Sequence, residues 1–233
     1  MGKGAPLRWI ENRRLAHYLH GTGIEIGALW RRFPVPPKAR VWYVDRAAPT
    51  RLREQHPDVT GEIVRPDVLA EAADLPFAPA SLDFIIASHV FEHLPFPLRA
   101  LRVWYGALAP GGALLLKVPD KRYTFDSRRS RTPFAHLLAE YEHPESSDWR
   151  SHYAEFIERV HGRKPDEPEI SQAAAELQAA RFNIHYHTWI DDDLREILEY
   201  TRHVWRFDWR PVIFWNAHFY RKESVALLVR NGR

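Results

Sequence analysis

The sequence predicts an α/β protein: a single domain over residues 1–233 with a seven-stranded, mostly parallel sheet, an antiparallel last strand and a helical insertion between strands five and six. Three observations carry this expectation. Five short apolar runs bounded by turn residues recur in the first half of the chain, of the fully buried kind that parallel strands show. A helical pattern joins the fourth run to the fifth, which makes a right-handed strand–helix–strand crossover. The alternation then stops over residues 120–187 and resumes with one helix and two closely spaced strands.

The strands are "GIEIGA" (23–28), "ARVWYVD" (39–45), "GEIVRPD" (61–67), "LDFIIAS" (82–88) and "GALLLKVP" (112–119). In "FPLRALRVWYGALAPGG", Leu98, Leu101, Tyr105 and Leu108 fall at helical spacing, and Pro110, Gly111 and Gly112 supply the stop. Residues 120–187 are too long for an ordinary connection and read as an inserted cap that holds the acceptor region. "RKPDEPE" (163–169) is a solvated loop within it. In "TWIDDDLREILEYTR", Thr188 and Asp191 fit a capping box, while Leu194, Ile197 and Leu198 form the apolar stripe. "WRFDWRPVIFW" and "ESVALLVR" then close the chain as a hairpin.

Composition narrows the function. Hydrophobic residues make up 45% and aromatics 13%, enough for a packed interior. The net charge of +3 comes from 33 basic against 30 acidic residues, a near balance that argues against a nucleic-acid binder. No cysteine is present, which excludes disulfides, thiolate metal sites and cysteine nucleophiles. The first twenty residues carry Arg8, Glu11, Arg13 and Arg14 with no secretory pattern, and no apolar run reaches membrane-spanning length. A soluble cytoplasmic protein without membrane association is expected.

"IEIGA", "VDR", "LPFAPASLDFIIASHVFEHL" and "LAPGGALLLKVPD" occur in that order and spacing. Together they resemble the motifs of class I S-adenosylmethionine-dependent methyltransferases, and the middle block is similar to the methyltransferase type 11 subgroup. The resemblance covers about residues 20–120 and the final hairpin. It implies a Rossmann-like sheet, S-adenosylmethionine as cofactor, and methyl transfer. A second likeness, in "VPDKRYTFD" and "HYHTW", is to bacterial methyltransferase-domain proteins of surface-polysaccharide clusters; it implies a glycan or small hydroxylated acceptor. RNA is the alternative acceptor, favoured by Arg128, Arg129 and Arg131, and a non-catalytic binding protein on the same fold is the third reading.

Carried onto this chain, the resemblance places Glu25, Gly27 and Ala28 at the methionine end of the cofactor. Asp45 falls at the ribose diol, Asp67 at the adenine amine with Glu71 as its rival, and Ser88 and His89 near the sulfonium. The chain departs from the family loop E-x-G-x-G-x-G, because Leu29 and Arg31 stand at its second and third glycines and prolines 34, 36 and 37 leave little room for the following helix. That departure is disabling for a pyrophosphate, which needs closely packed amides at a helix N-terminus. S-adenosylmethionine carries no phosphate.

A hydroxyl acceptor benefits from a base within hydrogen-bond reach. His185 and His187 share one face if "HYHTW" is extended, and with Asp120 they are the candidate catalytic residues. A divalent metal held by His185, His187 and Asp120 is the alternative use of the same three residues, and no metal is assigned. Glu92 and His93 of "FEHL" read as structural, and the segment from Asp120 to Tyr123 reads either as substrate-binding or as a salt-bridged loop.

Overall fold

A computed structural model describes residues 5–161 and 167–232. Among them, seven strands form one sheet in the order β3-β2-β1-β4-β5-β7-β6. β1 (Thr22–Ile26) pairs parallel with β2 (Arg40–Asp45) and with β4 (Leu82–Ser88), and β4 pairs parallel with β5 (Leu108–Pro119). β7 (Glu223–Arg230) runs antiparallel to both β5 and β6 (Trp209–Trp215), as the hairpin reading expects. Strand order reverses at β1 and β4, which is where an open α/β sheet leaves a crevice beyond its carboxyl ends.

The central strands are apolar on both sides because both faces are covered. Ile24, Ile26, Ile85, Leu114 and Leu116 pack into one core with helices α3 (Pro97–Ala107) and α7 (Asp191–His203). Phe84, Ile86, Leu115 and Leu227 pack on the other face with Leu15 of α1 (Ala5–Ala16) and with Leu19. β5 begins earlier than expected. The helix stops at Ala107, and the Pro110-Gly111-Gly112 turn is absorbed as an irregularity between Leu82 and Phe84 in the β4 register, with Gly111 at φ +83°.

Two expectations fail for clear reasons. The segment 61–67 is not a strand, and β3 is only Val68–Leu69. Pro66 has no amide to give to a ladder, and Ile63 and Val64 are buried through loop contacts, with the Val64 amide donating to the Leu29 carbonyl. Helix α7 begins at Asp191, so Thr188 cannot cap it. Asp193 instead accepts the Ile190 amide at 2.8 Å, and the Thr188 hydroxyl donates to the Ser130 carbonyl.

No helix follows β1, and the next one, α2 (Pro49–Gln55), comes only after β2, as the prolines require. Between β5 and α7 lie α4 (Phe134–Glu142), α5 (Trp149–His161) and α6 (Glu167–Ala179). Tyr153, Phe156, Ile157, Ala174 and Ile184 give this inserted region its own small core. Of "RKPDEPE", residues 163–166 lie outside the described residues, and 167–169 open α6 rather than a loop. Among the described residues no helix is long and apolar enough to cross a membrane.

Candidate functional site

A cleft of about 1580 Å³ opens at the carboxyl ends of β1, β2 and β4. Glu25, Gly27, Ala28, Asp45, Ser88 and His89 line one side, and Trp149, Tyr153, Arg181 and Tyr186 of the inserted region line the other. Asp67, Asp120, His185 and His187 are not among its lining residues.

The first loop explains how the missing glycines are tolerated. Both oxygens of buried Glu25 accept the Phe33 amide, at 2.9 and 3.0 Å, which ties the far end of the loop back onto β1. Burial pushes the Glu25 carboxyl up to about 7, against the Phe33 hydrogen bond and Arg32, which lower it. Gly27 takes φ +64°, and a Cβ there would meet the Val90 side chain at 2.8 Å. Leu29, which stands where the resembled loop pattern has its second glycine, adopts φ +49°, a left-handed turn made without glycine.

Asp45 ends β2 and accepts the Arg46 amide at 2.8 Å. Burial raises its carboxyl, opposed by hydrogen bonds from the Arg46 and Ala47 amides. Asp67 precedes β3, and its side chain is taken by the Tyr43 amide at 2.8 Å. Strand-end geometry therefore does not bring Asp67 to the cleft, whereas exposed Glu71 lines it.

His89 follows β4 at φ +56°, left-handed backbone that histidine tolerates better than most residues. Its Nε2 lies 2.5 Å from Glu223, which also pairs with Lys117 at 2.5 Å. Burial pulls His89 down, but the hydrogen bond to Glu223 and the negative charge of Glu92, 3.5 Å from Nδ1, outweigh it and hold the imidazole up at about 10. Glu223 is held down at about 2: burial raises it, and His89 and Lys117 more than offset that. The sequence contained a signal for this pair, since Lys117 interrupts an otherwise apolar buried strand.

Beneath them, Glu92 is 1% exposed and neither of its carboxylate oxygens has a hydrogen-bond partner. His93 lines the cleft, with Nδ1 2.9 Å from the Ile184 carbonyl and Nε2 3.9 Å from Glu92. Burial pushes His93 down to about 4 despite Glu92 beside it. "FEHL" thus delivers a neutral imidazole to the cleft, a placement that its reading as a structural helix start did not foresee.

The three candidate catalytic residues serve elsewhere. His185 is bonded to Asp126 at 2.6 Å, which itself pairs with Arg129. His187 is fully buried near Glu140, and burial pushes it down to about 3. The two side chains go to different partners, and residues 184–190 form no strand. Asp120 caps the turn at 121–123 and, with Asp191, holds Arg122 in the salt-bridged loop. The arginine run is also structural in part: Arg129 is 4% exposed and pairs with Asp126 and Glu155, and Arg131 pairs with Asp193.

Comparison with known proteins bears on the family and the fold. Residues 19–116 match the family described as "Methyltransferase domain". Trans-aconitate 2-methyltransferase of Rhodopseudomonas palustris (strain BisB18) is 33% identical over 108 residues, 46% of this chain; the match spans only 39% of that enzyme's length. Among solved structures, a Rhodobacter sphaeroides protein named as a Zn-dependent alcohol dehydrogenase shares the fold at TM-score 0.57 and 16% identity, over 95% of this chain and 90% of that one. The N-methyltransferase NodS of Bradyrhizobium japonicum WM9, in complex with S-adenosyl-L-homocysteine, does so at TM-score 0.50 and 12% identity, over 100% and 89%.

Proposed function

Starting from residues 19–116 as a class I S-adenosylmethionine-dependent methyltransferase domain, we propose that the protein transfers a methyl group to a hydroxyl of a sugar, a glycan or a similar small acceptor. The observation that carries this reading is the cleft itself, with the cofactor-side residues of the sheet facing the aromatic and polar side chains of the inserted region. S-adenosylmethionine, when bound, supplies a methyl carbon activated by a positively charged sulfur.

The residues present fit that cofactor. Gly27 leaves open the space a Cβ would fill, Asp45 offers a carboxylate that can accept from a diol, and Glu71 is the carboxylate available to the adenine end. Trp149 and Tyr186 offer ring faces suited to a hydroxylated acceptor, the Tyr186 hydroxyl being held by buried Tyr153, and Arg181 and Asn183 add donors. Cytoplasmic action on a soluble acceptor is part of this reading.

His93 is the base we assign in place of His185, His187 and Asp120. Its Nδ1–H donates to the Ile184 carbonyl, so the lone pair sits on Nε2, and ionised Glu92 stabilises the imidazolium once Nε2 takes the acceptor's proton. RNA as acceptor loses the support of its arginine run, since Arg129 and Arg131 are engaged in ion pairs.

The test is transfer of a labelled methyl group to a panel of monosaccharides, sugar acids and oligosaccharides, with RNA alongside. Transfer to a hydroxylated acceptor is expected, with kcat about a hundredfold lower in His93→Asn and cofactor affinity unchanged. Transfer to RNA alone, or a His93→Asn enzyme at full rate, contradicts the reading.

A further inference from the structure

We propose that His136, His152, His187 and Glu140 form a closed four-ligand site for a divalent transition-metal ion, zinc by donor type, which fastens the inserted region to the sheet domain. The donors come from separate elements. His136 and Glu140 stand one turn apart on α4, His152 lies on α5, and His187 precedes α7.

The three histidines converge closely enough to share one ion, with the Glu140 carboxylate beside them. The three histidines offer ring nitrogens that all lie within 4.8 Å of one another. The Nε2 atoms of His152, His136 and His187 lie 2.8, 3.1 and 3.6 Å from the Glu140 carboxylate. Donors held about 2.0–2.2 Å from one tetrahedral zinc stand roughly 3.3–3.5 Å apart, and imidazoles bound through nitrogen then have ring centres about 5 Å apart. The observed centres are 5.3 Å apart for His136 and His152, 5.2 Å for His152 and His187, and 6.1 Å for His136 and His187.

Hydrogen bonding alone does not account for the cluster. Glu140 Oε1 serves both His136 and His152, while Oε2 is buried without a partner. His187 Nε2 stands 3.6 Å from that oxygen and 3.4 Å from the Pro95 carbonyl, both long for a hydrogen bond, in a side chain with no exposure at all. One cation between them satisfies both atoms. The Tyr186 carbonyl, 2.9 Å from His152 Nδ1, fixes the tautomer that turns Nε2 inward, as an outer-shell partner of a metal ligand does. Three nitrogens and one carboxylate oxygen, with no thiolate in the chain, suit zinc, with cobalt and nickel as substitutes.

All four donors are protein groups and none lines the cleft, so the site is structural rather than catalytic. Its effect reaches the cleft through stacking. Trp149 lies 5.6 Å from the His152 ring, and Tyr186 packs edge-on against Trp149 at 5.8 Å; both line the acceptor side. His136, with a side chain 43% exposed, provides the path by which the ion enters.

Elemental analysis of protein purified without metal resin or chelator tests this directly, followed by cobalt titration of the stripped protein. We expect about one zinc per chain, a lower Tm after stripping that zinc restores, and the visible absorption of tetrahedral cobalt. His136→Ala, at a half-exposed position that leaves folding intact, and His152→Ala should each weaken metal affinity about a hundredfold or more. Stripped wild-type protein that takes up neither zinc nor cobalt overturns the proposal. So does wild-type affinity in the His136→Ala and His152→Ala proteins, which would put the ion elsewhere, such as among Glu92, His93 and His185.

Discussion

Replacing Leu29 tests whether the first loop makes a left-handed turn without glycine. Leu29 sits at φ +49°, where an L-residue pays about 1–2 kcal/mol against the right-handed region. At an ordinary position alanine is more stable than glycine by about 0.4–1 kcal/mol, because glycine frees the unfolded chain. Leu29→Gly and Leu29→Ala both lose the same half-buried side chain, and both keep the bond between the Leu29 carbonyl and the Val64 amide. Their difference therefore isolates the backbone: relief of about 1–2 kcal/mol less about 0.4–1 kcal/mol leaves glycine ahead by about 1 kcal/mol. In a chain of this size that is about 2–4 °C in Tm, readable in paired thermal and urea melts. An alanine variant as stable as the glycine variant, or more so, refutes the left-handed assignment and with it the explanation of how the loop survives.

Glu25→Ala strands the buried Phe33 amide and should cost about 1–3 kcal/mol, whereas Glu25→Gln keeps an acceptor in place. Because the folded-state carboxyl is raised from 4.5 to about 7, its contribution is present at low pH and lost as pH rises through about 7. The Tm of the glutamine variant should accordingly gain on wild type between pH 5 and pH 8, and a flat difference counts against a buried carboxyl. The pair of His89 and Glu223 acts at the other end of the scale. His89, raised from 6.5 to about 10, contributes stability that is full below pH 6.5 and lost as pH climbs toward 10, so Glu223→Gln should flatten the alkaline decline seen in pH-resolved melts. Arg129→Ala leaves Asp126 buried without its cation and removes the donor to the His185 carbonyl; a loss of about 3–5 kcal/mol in denaturant melts is expected, and a loss below about 1 kcal/mol would mean the network is solvated.

What the sequence revealed follows from which interactions are local. Buried parallel strands announce themselves as apolar runs, so β1, β2, β4 and β5 were legible, as were α3 and α7 from their stripes. β3 was not, because its two ladder residues follow an apolar segment that is buried by loop packing instead. Gly27 and Asp45 reach the cleft because each sits at or just past a strand end, which sequence can locate. Asp67 does not, since its strand assignment was displaced by two residues of chain around Pro66. The histidines show the limit most plainly. "HYHTW" looked like a catalytic pair, but His185 turns to Asp126 and His187 to Glu140, partners 59 and 47 positions away that no local pattern links. His93 read as structural because it opens a helix, and its bond to the Ile184 carbonyl of a distant segment leaves no local trace in the sequence.

The central claim is that the cleft binds S-adenosylmethionine although two loop glycines are gone. Calorimetric titration of the purified protein with S-adenosylmethionine and S-adenosylhomocysteine, repeated on Asp45→Ala, tests it most directly. Binding in the micromolar range is predicted, weakened about tenfold to a hundredfold by the substitution, which removes a charged acceptor. A folded, monodisperse sample that gives no heat of binding, or an Asp45→Ala protein that binds as tightly as wild type, would contradict the account.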